Sequence, residues 1–436
     1  MSTSGRVNVI GYASATIGLG VIARAFAKAM IAAGYEVAIH DLDAGAGRSG
    51  QDLSLASLFV ASPEQLPDGL NLWVLDATSL VHAARRIGSH PVLASRFHAA
   101  FVWWELPRVP ADWVAAAEVF DAVVTGSEFV REVWAAHVTR VPVLLARTPL
   151  DMPETVEADR GRFGFDDDEV IVYTGFEALS DPARKNPFAA IEAFCRTAGT
   201  GQRARMMVKV NHAESAGPAQ RQLERLEGIV ASDPRIVLLR EKFDYRKLLQ
   251  LYASIDVAVS LHRAEGLGLM PLEAMRLGKP VVATGWSGNL TYMNHSSAAL
   301  VRYEFTAPDE TAAIYSPAQL GFTSHWAEPS VDHAAAWLEQ LIADRDLRLS
   351  MGLAAARAAS AYDAMARQLD AIGELQALAA RPALAAPRRR DELVRTLGRL
   401  CRERADARLS PLQRRVRSVR SAYDRHVGWR LRNAAR

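Results

Sequence analysis

Apolar residues fall along the chain in short continuous runs separated by longer stretches of helical period, the pattern of buried parallel strands joined by amphipathic helices. Residues 6–11 predict a strand, 19–33 a helix with Gly34 behind it, and 36–40 the next strand, a βαβ opening. Strands are expected again at 70–75, 98–103, 122–125 and 141–145, with helices at about 111–118 and 128–136. A polar stretch, 151–168, precedes a second series. Its strands are expected at 170–174, 206–210, 236–239, 256–261 and 280–283, with helices at about 187–196, 219–231, 245–253 and 271–277. Ala-rich helices follow from 331 to about 379, and 381–387 reads as a linker. The expected fold class is α/β, with two Rossmann-like, doubly wound domains over residues 1–150 and 151–345, helices and linker over 346–386, and a tail over 387–436.

Length and charge sharpen that division. At 436 residues the chain can fill two separate cores. Its only cysteines, Cys195 and Cys401, predict no disulfide framework, and no apolar run approaches the roughly 20 residues that span a bilayer. The opening residues lead straight into a strand, so no secretory leader is expected and the predicted location is cytoplasmic. The net charge of +2 conceals a basic tail: residues 387–436 hold 16 Arg and Lys against 5 Asp and Glu, leaving −9 for residues 1–386.

The chemistry concentrates in one run, His262-Arg263-Ala264-Glu265-Gly266-Leu267-Gly268-Leu269-Met270-Pro271-Leu272-Glu273. It sets two carboxylates around a glycine-rich turn directly after an apolar strand, which places Glu265 in the crevice where open α/β sheets bind ligands. The amides after Glu265 open a helix and suit a diphosphate, with Gly266 and Gly268 allowing close approach. Glu265 and Glu273 suit sugar hydroxyls, which donate to carboxylates. The bland alternative is an ordinary strand-to-helix turn with a solvated Glu265 and a Glu273 that caps the first helical turn.

Glu-Gly-x-Gly-Leu-x-x-x-Glu-Ala-Met resembles the signature of retaining GT-B glycosyltransferases of the glycosyltransferase family 4 type, also called glycosyl transferases group 1. The resemblance implies two Rossmann-like domains facing a central cleft, a nucleotide-diphosphate sugar as donor, no bound cofactor and no metal requirement. It extends to other segments. Arg184-Lys185-Asn186-Pro187 resembles the family's cationic helix start, implying that Arg184 and Lys185 neutralise the leaving diphosphate, as guanidinium and ammonium groups can. Ser287-Gly288-Asn289 resembles the loop beneath nucleotide and sugar, and Gly18-Leu19-Gly20 the glycine loop of the first domain. Trp103-Trp104-Glu105 resembles a Trp-Glu branch, implying that Glu105 contacts donor or acceptor. By the same resemblance Glu265 meets the donor sugar, Glu273 the ribose, and Leu267 and Leu269 lend amides.

Two departures stand out. Trp104 occupies the place of a histidine found near the transferred sugar in other branches, and Phe176 follows Gly175 where many relatives carry arginine. The remaining candidates have plain structural readings: Gly18 and Gly20 as helix packing, the Trp pair as core, Lys209 as an ordinary strand lysine, His262 as a satisfied strand-end residue. Asp41-Leu42-Asp43 spells a metal-binding triplet of the unrelated GT-A enzymes but reads here as a turn cap.

In the tail, Leu393, Leu397 and Leu400 share a helical face, and Leu412, Val416, Val419, Tyr423, Val427 and Leu431 continue at spacings of three and four among arginines. A basic amphipathic helix suits an anionic membrane surface, so the inner face of the plasma membrane is the expected partner, against packing on the body. No nucleic acid is expected. The activity expected is hexosyl transfer from a nucleotide sugar to a saccharide acceptor, lipid-linked or free, in bacterial surface polysaccharide synthesis. The alternatives are a silent nucleotide-sugar-binding scaffold and a phosphorylase-like GT-B enzyme.

Overall fold

The structure, a computed structural model, describes residues 5–43, 52–177, 181–197, 203–211, 218–309, 312–380 and 387–407. Among them, the first lobe carries a sheet of β1 (Arg6–Gly11), β2 (Glu36–Asp41), β3 (Phe59–Val60), β4 (Leu70–Asp76), β5 (His98–Trp103), β6 (Ala122–Thr125) and β7 (Val143–Leu145). The order is β3-β2-β1-β4-β5-β6-β7, parallel throughout. The second lobe carries β8 (Val170–Glu177), β9 (Ala204–Asn211), β10 (Ile236–Leu239), β11 (Val257–Ser260), β12 (Val281–Thr284) and β13 (Ala299–Val301) in the order β10-β9-β8-β11-β12-β13, also parallel. Beyond it, β14 (Tyr303–Thr306) and β15 (Trp326–Pro329) form an antiparallel hairpin.

Central strands such as β5, buried along its whole length, read as unbroken apolar runs because helices cover both faces. Strand order reverses between β1 and β4 in one lobe and between β8 and β11 in the other. Those reversals open a crevice at the carboxyl ends of the strands. Gly11 ends β1, Glu105 follows β5, Arg184 follows β8 and Glu265 follows β11, so both lobes deliver the predicted residues toward crevices of the same kind.

The lobes are tied by the helix Arg345–Ala366. Gly352 lets it meet the turn after β11's helix: a Cβ there would stand 2.1 Å from the Gly278 carbonyl oxygen. At its far end Tyr362 Oη accepts from Thr148 N–H at 3.0 Å and Asp363 accepts from Leu150 N–H at 2.8 Å, fixing the crossover between the sheets.

The structure adds elements beyond those expected. Leu80–Ser89 is a helix, β13 completes the second sheet, and the β14–β15 hairpin projects a long excursion. The tail expectation is corrected for its described part. Helix Pro387–Ala407 lies on the helices Leu80–Ser89 and Ala111–Ala117 with Leu393 and Leu397 buried, so its apolar face is covered by the first lobe and does not face a membrane. Arg390 reaches inward to pair with Asp121 and donates to the Val119 and Arg96 carbonyls at 3.2 and 2.9 Å. Arg404 donates to Asp112 at 2.9 Å. The second stretch, from Ser410 through Leu431, and the 381–386 linker lie outside the described residues. Among the described residues no helix is long and apolar enough to cross a membrane.

Candidate active site

The turn after β11 is held from beneath by the turn after β12. Ser287 sits at φ 77° and ψ −147°, a conformation that L-residues avoid, and is kept there by two bonds to one neighbour. Its Oγ accepts from Glu265 N–H at 2.8 Å, and the adjoining Gly288 N–H donates to the Glu265 carbonyl at 2.9 Å. A Cβ on Gly288 would fall 1.9 Å from the Gly266 oxygen, so the two loops meet at backbone distance. Gly268, at φ +86°, then starts the helix Leu269–Arg276. Asn289 and His262 lie buried below: His262 Nδ1 pairs with Ser260 Oγ at 3.0 Å, and Nε2 faces Trp286 O and Asn289 Oδ1 at 3.2 and 3.1 Å. His262 is thus a satisfied structural residue, and burial pushes its pKa down.

A second strained turn carries the cations. Asp181 (φ 60°) and Asn186 (φ 50°) bracket Pro182–Lys185, and Asp181 Oδ1 accepts from Ala183 and Arg184 N–H at 3.0 and 3.3 Å. Three of the four non-glycine positive-φ residues among those described therefore line this site. Lys185 Nζ meets Glu265 Oε1, and Arg184 Nη1 lies 3.3 Å from Glu265 Oε2 while donating to the Ala264 carbonyl at 2.8 Å. Burial works to raise the Glu265 pKa, but Lys185 and Arg184 outweigh it and bring the carboxyl down to about 2. The Arg184 guanidinium is buried among carboxylates, whereas a quarter of the Lys185 side chain is exposed.

Glu273 lies elsewhere in character. It is buried, accepts from Tyr245 Oη at 2.7 Å, and is pushed up to about 8 by desolvation that the tyrosine only partly offsets. It does not cap its helix. Leu267 is buried beside it in the turn and Leu269 is half-buried.

From the first lobe, Gly18 faces this turn: a Cβ there would be 3.7 Å from Leu269 Cδ1. Gly20 has the packing role instead, since a Cβ would strike the Ala15 and Tyr12 carbonyl oxygens at 2.1 and 2.7 Å. Glu105 stands 3.9 Å from Arg184 and accepts from Tyr315 Oη at 2.7 Å. Trp104 is core: it donates to Arg108 O at 2.7 Å, stacks on Tyr315 and meets Trp113 edge-on. Lys209, at the end of β9, is buried on Asn211 and the Glu241 carbonyl, with burial lowering its pKa to about 8. Asp41 Oδ1 accepts from Ser14 and Asp43 N–H, the turn role expected of that triplet.

Sequence reasoning missed Tyr245 and Tyr315. Glu328, in a Trp326-Ala327-Glu328-Pro329 segment that resembles the family and reads as local packing, forks onto Arg263, donor to acceptor 3.0 Å at Nη2. Tyr245 opens a helix behind an Asp244 cap, a signal of the element but not of its direction.

Residues 168–315 match the family model described as glycosyl transferases group 1. That segment is thus similar to the group 1 glycosyl transferases, and the chain has the GT-B fold. No curated protein matches it by sequence. Among solved structures, α,α-trehalose 6-phosphate synthase from Burkholderia multivorans superposes with a TM-score of 0.60 at 13% identity, covering 86% of this chain and 97% of that one. An E. coli trehalose-6-phosphate structure bound with UDP-2-fluoro glucose gives 0.58 at 12%, covering 85% and 99%. Anabaena Alr3699/HepE in complex with UDP and glucose gives 0.57 at 14%, covering 85% and 99%. The chain shares its two-lobed architecture with all three.

Proposed function

We propose that this transferase moves a hexosyl group from a nucleotide-diphosphate sugar to a saccharide acceptor with retention of configuration. The observation that carries the reading is the convergence of Lys185 and Arg184 on Glu265, at the carboxyl end of β11 and just ahead of the helix Leu269–Arg276. Lys185, the more exposed cation, exchanges Glu265 for the donor's diphosphate, and the amides add their field at low reorganisation cost. Arg184 keeps Glu265 in place, leaving a carboxylate to accept from a hydroxyl of the donor sugar. Glu273 accepts from ribose, and the Ser287-Gly288-Asn289 loop sets the floor. The bond between the sugar's anomeric carbon and the diphosphate oxygen breaks, the acceptor oxygen bonds on the same face, and its proton passes to the departing phosphate. Side chains and amides, rather than a metal, carry the diphosphate charge in this scheme. The UDP and sugar ligands named for two of the similar structures support a donor of that class.

The acceptor we assign is a growing surface polysaccharide, free or lipid-linked, elongated on the cytoplasmic side. Any membrane contact falls to the arginines of the tail's outer face and to residues 408–436. A silent binding protein is the second reading, favoured by Trp104 being turned into the core where other branches place histidine. Thermal stabilisation by UDP-, GDP-, dTDP- and ADP-sugars tests both. One nucleotide class should raise the melting temperature, and Glu273→Ala should abolish the shift. Stabilisation without nucleoside diphosphate release would favour the silent reading, and no stabilisation by any sugar nucleotide would overturn both.

A further inference from the structure

The β14–β15 hairpin is not a simple turn. Between its strands, the described residues 312–325 form a strap against the first lobe, fastened at several points. Arg108 Nη1 donates to the Thr323 carbonyl at 3.1 Å and its guanidinium covers the Phe322 ring at 4.4 Å. Arg404, already paired with Asp112, donates to the Gln319 carbonyl at 3.3 Å. At the root, Glu328 holds Arg263, whose backbone N–H donates to the Arg184 carbonyl at 2.8 Å. The strap thus joins the cation turn of one lobe to the segment after β5 in the other.

Tyr315 is the point where the strap enters the site. Its ring lies on Trp104, centroids 5.2 Å apart and 22° from parallel, and the Arg184 guanidinium stands 5.6 Å from the ring centroid. Its hydroxyl donates to Glu105 Oε2 at 2.7 Å, leaving Oε1 toward Arg184 at 3.9 Å. Arg184 in turn faces Glu265. The result is a continuous series, Tyr315–Glu105–Arg184–Glu265–Lys185, in which a first-lobe carboxylate aimed by a tyrosine from the second lobe meets the cations.

We propose that Tyr315 is a positioning residue: carried on the strap, it fixes Glu105 toward Arg184 in the site and so makes correct placement of that carboxylate depend on the two lobes being together. Trp104 is the rigid surface that sets the tyrosine's direction. This deepens the transferase reading and rests on it for the catalytic consequence, whereas the coupling of Tyr315 to Glu105 stands on geometry alone.

The test is a double-mutant cycle in the full chain with Tyr315→Phe, Glu105→Gln and the pair. Tyr315→Phe keeps the stacked ring and removes only the donor. Nucleoside diphosphate release from UDP-, GDP-, dTDP- and ADP-hexoses is measured alongside calorimetric binding of the free nucleotides. Tyr315→Phe should lower kcat about tenfold, the loss of one charge-assisted hydrogen bond, with nucleotide affinity and donor KM within twofold of the parent. The double variant should be no slower than Glu105→Gln alone. Unchanged kcat in Tyr315→Phe, or losses that multiply, would overturn the positioning role. The same four proteins are melted without substrate. A melting-temperature loss in the double variant smaller than the sum of the single losses upholds the contact even where no donor turns over, and additive losses reject it. Failure of the parent to turn over any donor therefore counts against the transferase reading, while additivity in both measurements counts against Tyr315.

Discussion

Glu265 and Glu273 share a helix start, yet their surroundings drive their protonation apart. Glu265, paired with two cations, titrates near 2, so its contribution to stability is present above about pH 4.5 and is lost as pH falls through 2. Glu265→Gln should cost on the order of 3 kcal/mol at pH 7 by leaving Lys185 and Arg184 without their carboxylate, as chemical denaturation will measure. Glu273 behaves in the opposite sense. Its native pKa of about 8 lies above the ordinary 4.5, so stability is lost as pH rises from about 4.5 through 8. Glu273→Gln should flatten that dependence and gain on the parent by a few kcal/mol between pH 6 and pH 9. An unchanged slope would refute the buried, apolar setting. Ser287 separates strain from bonding: Ser287→Ala should destabilise by about 1–2 kcal/mol through loss of the Glu265 N–H acceptor, and Ser287→Gly by less because glycine relieves the positive φ. Both are read from denaturation midpoints.

At the scale of elements, what could be read in the sequence was whatever repeats with a period. The strands 6–11, 98–103 and 122–125 coincide with β1, β5 and β6 because central parallel strands are apolar on both faces, and 236–239 coincides with β10, an apolar run at the edge of its sheet. The helix Leu80–Ser89 was overlooked although legible: its buried residues Leu80, Ala83, Ala84 and Ile87 fall at i, i+3, i+4 and i+7, with histidine and arginines facing outward. The carboxyl-terminal helix was legible as amphipathic, but amphipathicity does not say what covers the apolar face. Here the deciding residue is Arg390, whose charge is buried against Asp121 and would be out of place on a membrane-facing helix. Arg390→Ala should therefore lower stability by about 3 kcal/mol, leaving the buried Asp121 without that guanidinium. Arg395→Ala on the same helix should change the melting temperature little. Equal effects from the two would contradict the packed arrangement.

Over the whole molecule, the local motifs of the site were visible before their directions were. Glu265, Arg184 and Lys185 are separated by about 80 positions along the chain and are united by the adjacency of β8 and β11, which a strand pattern alone does not order. Glu105 was read from its neighbours in sequence, while its partner Tyr315 comes from a strap with no period and no motif. Tyr245 was equally hidden, because a tyrosine at a helix start announces nothing about the carboxylate it will meet. The chemistry thus belongs to turns at strand ends, and the two lobes act as rigid holders for them. Nucleoside diphosphate release by the purified full chain, with and without Lys185→Ala, tests this account most directly. Release from one class of nucleotide sugar, reduced at least about a hundredfold by the substitution, is the predicted result. Release undiminished in Lys185→Ala, or none from any nucleotide sugar by folded protein, would contradict it.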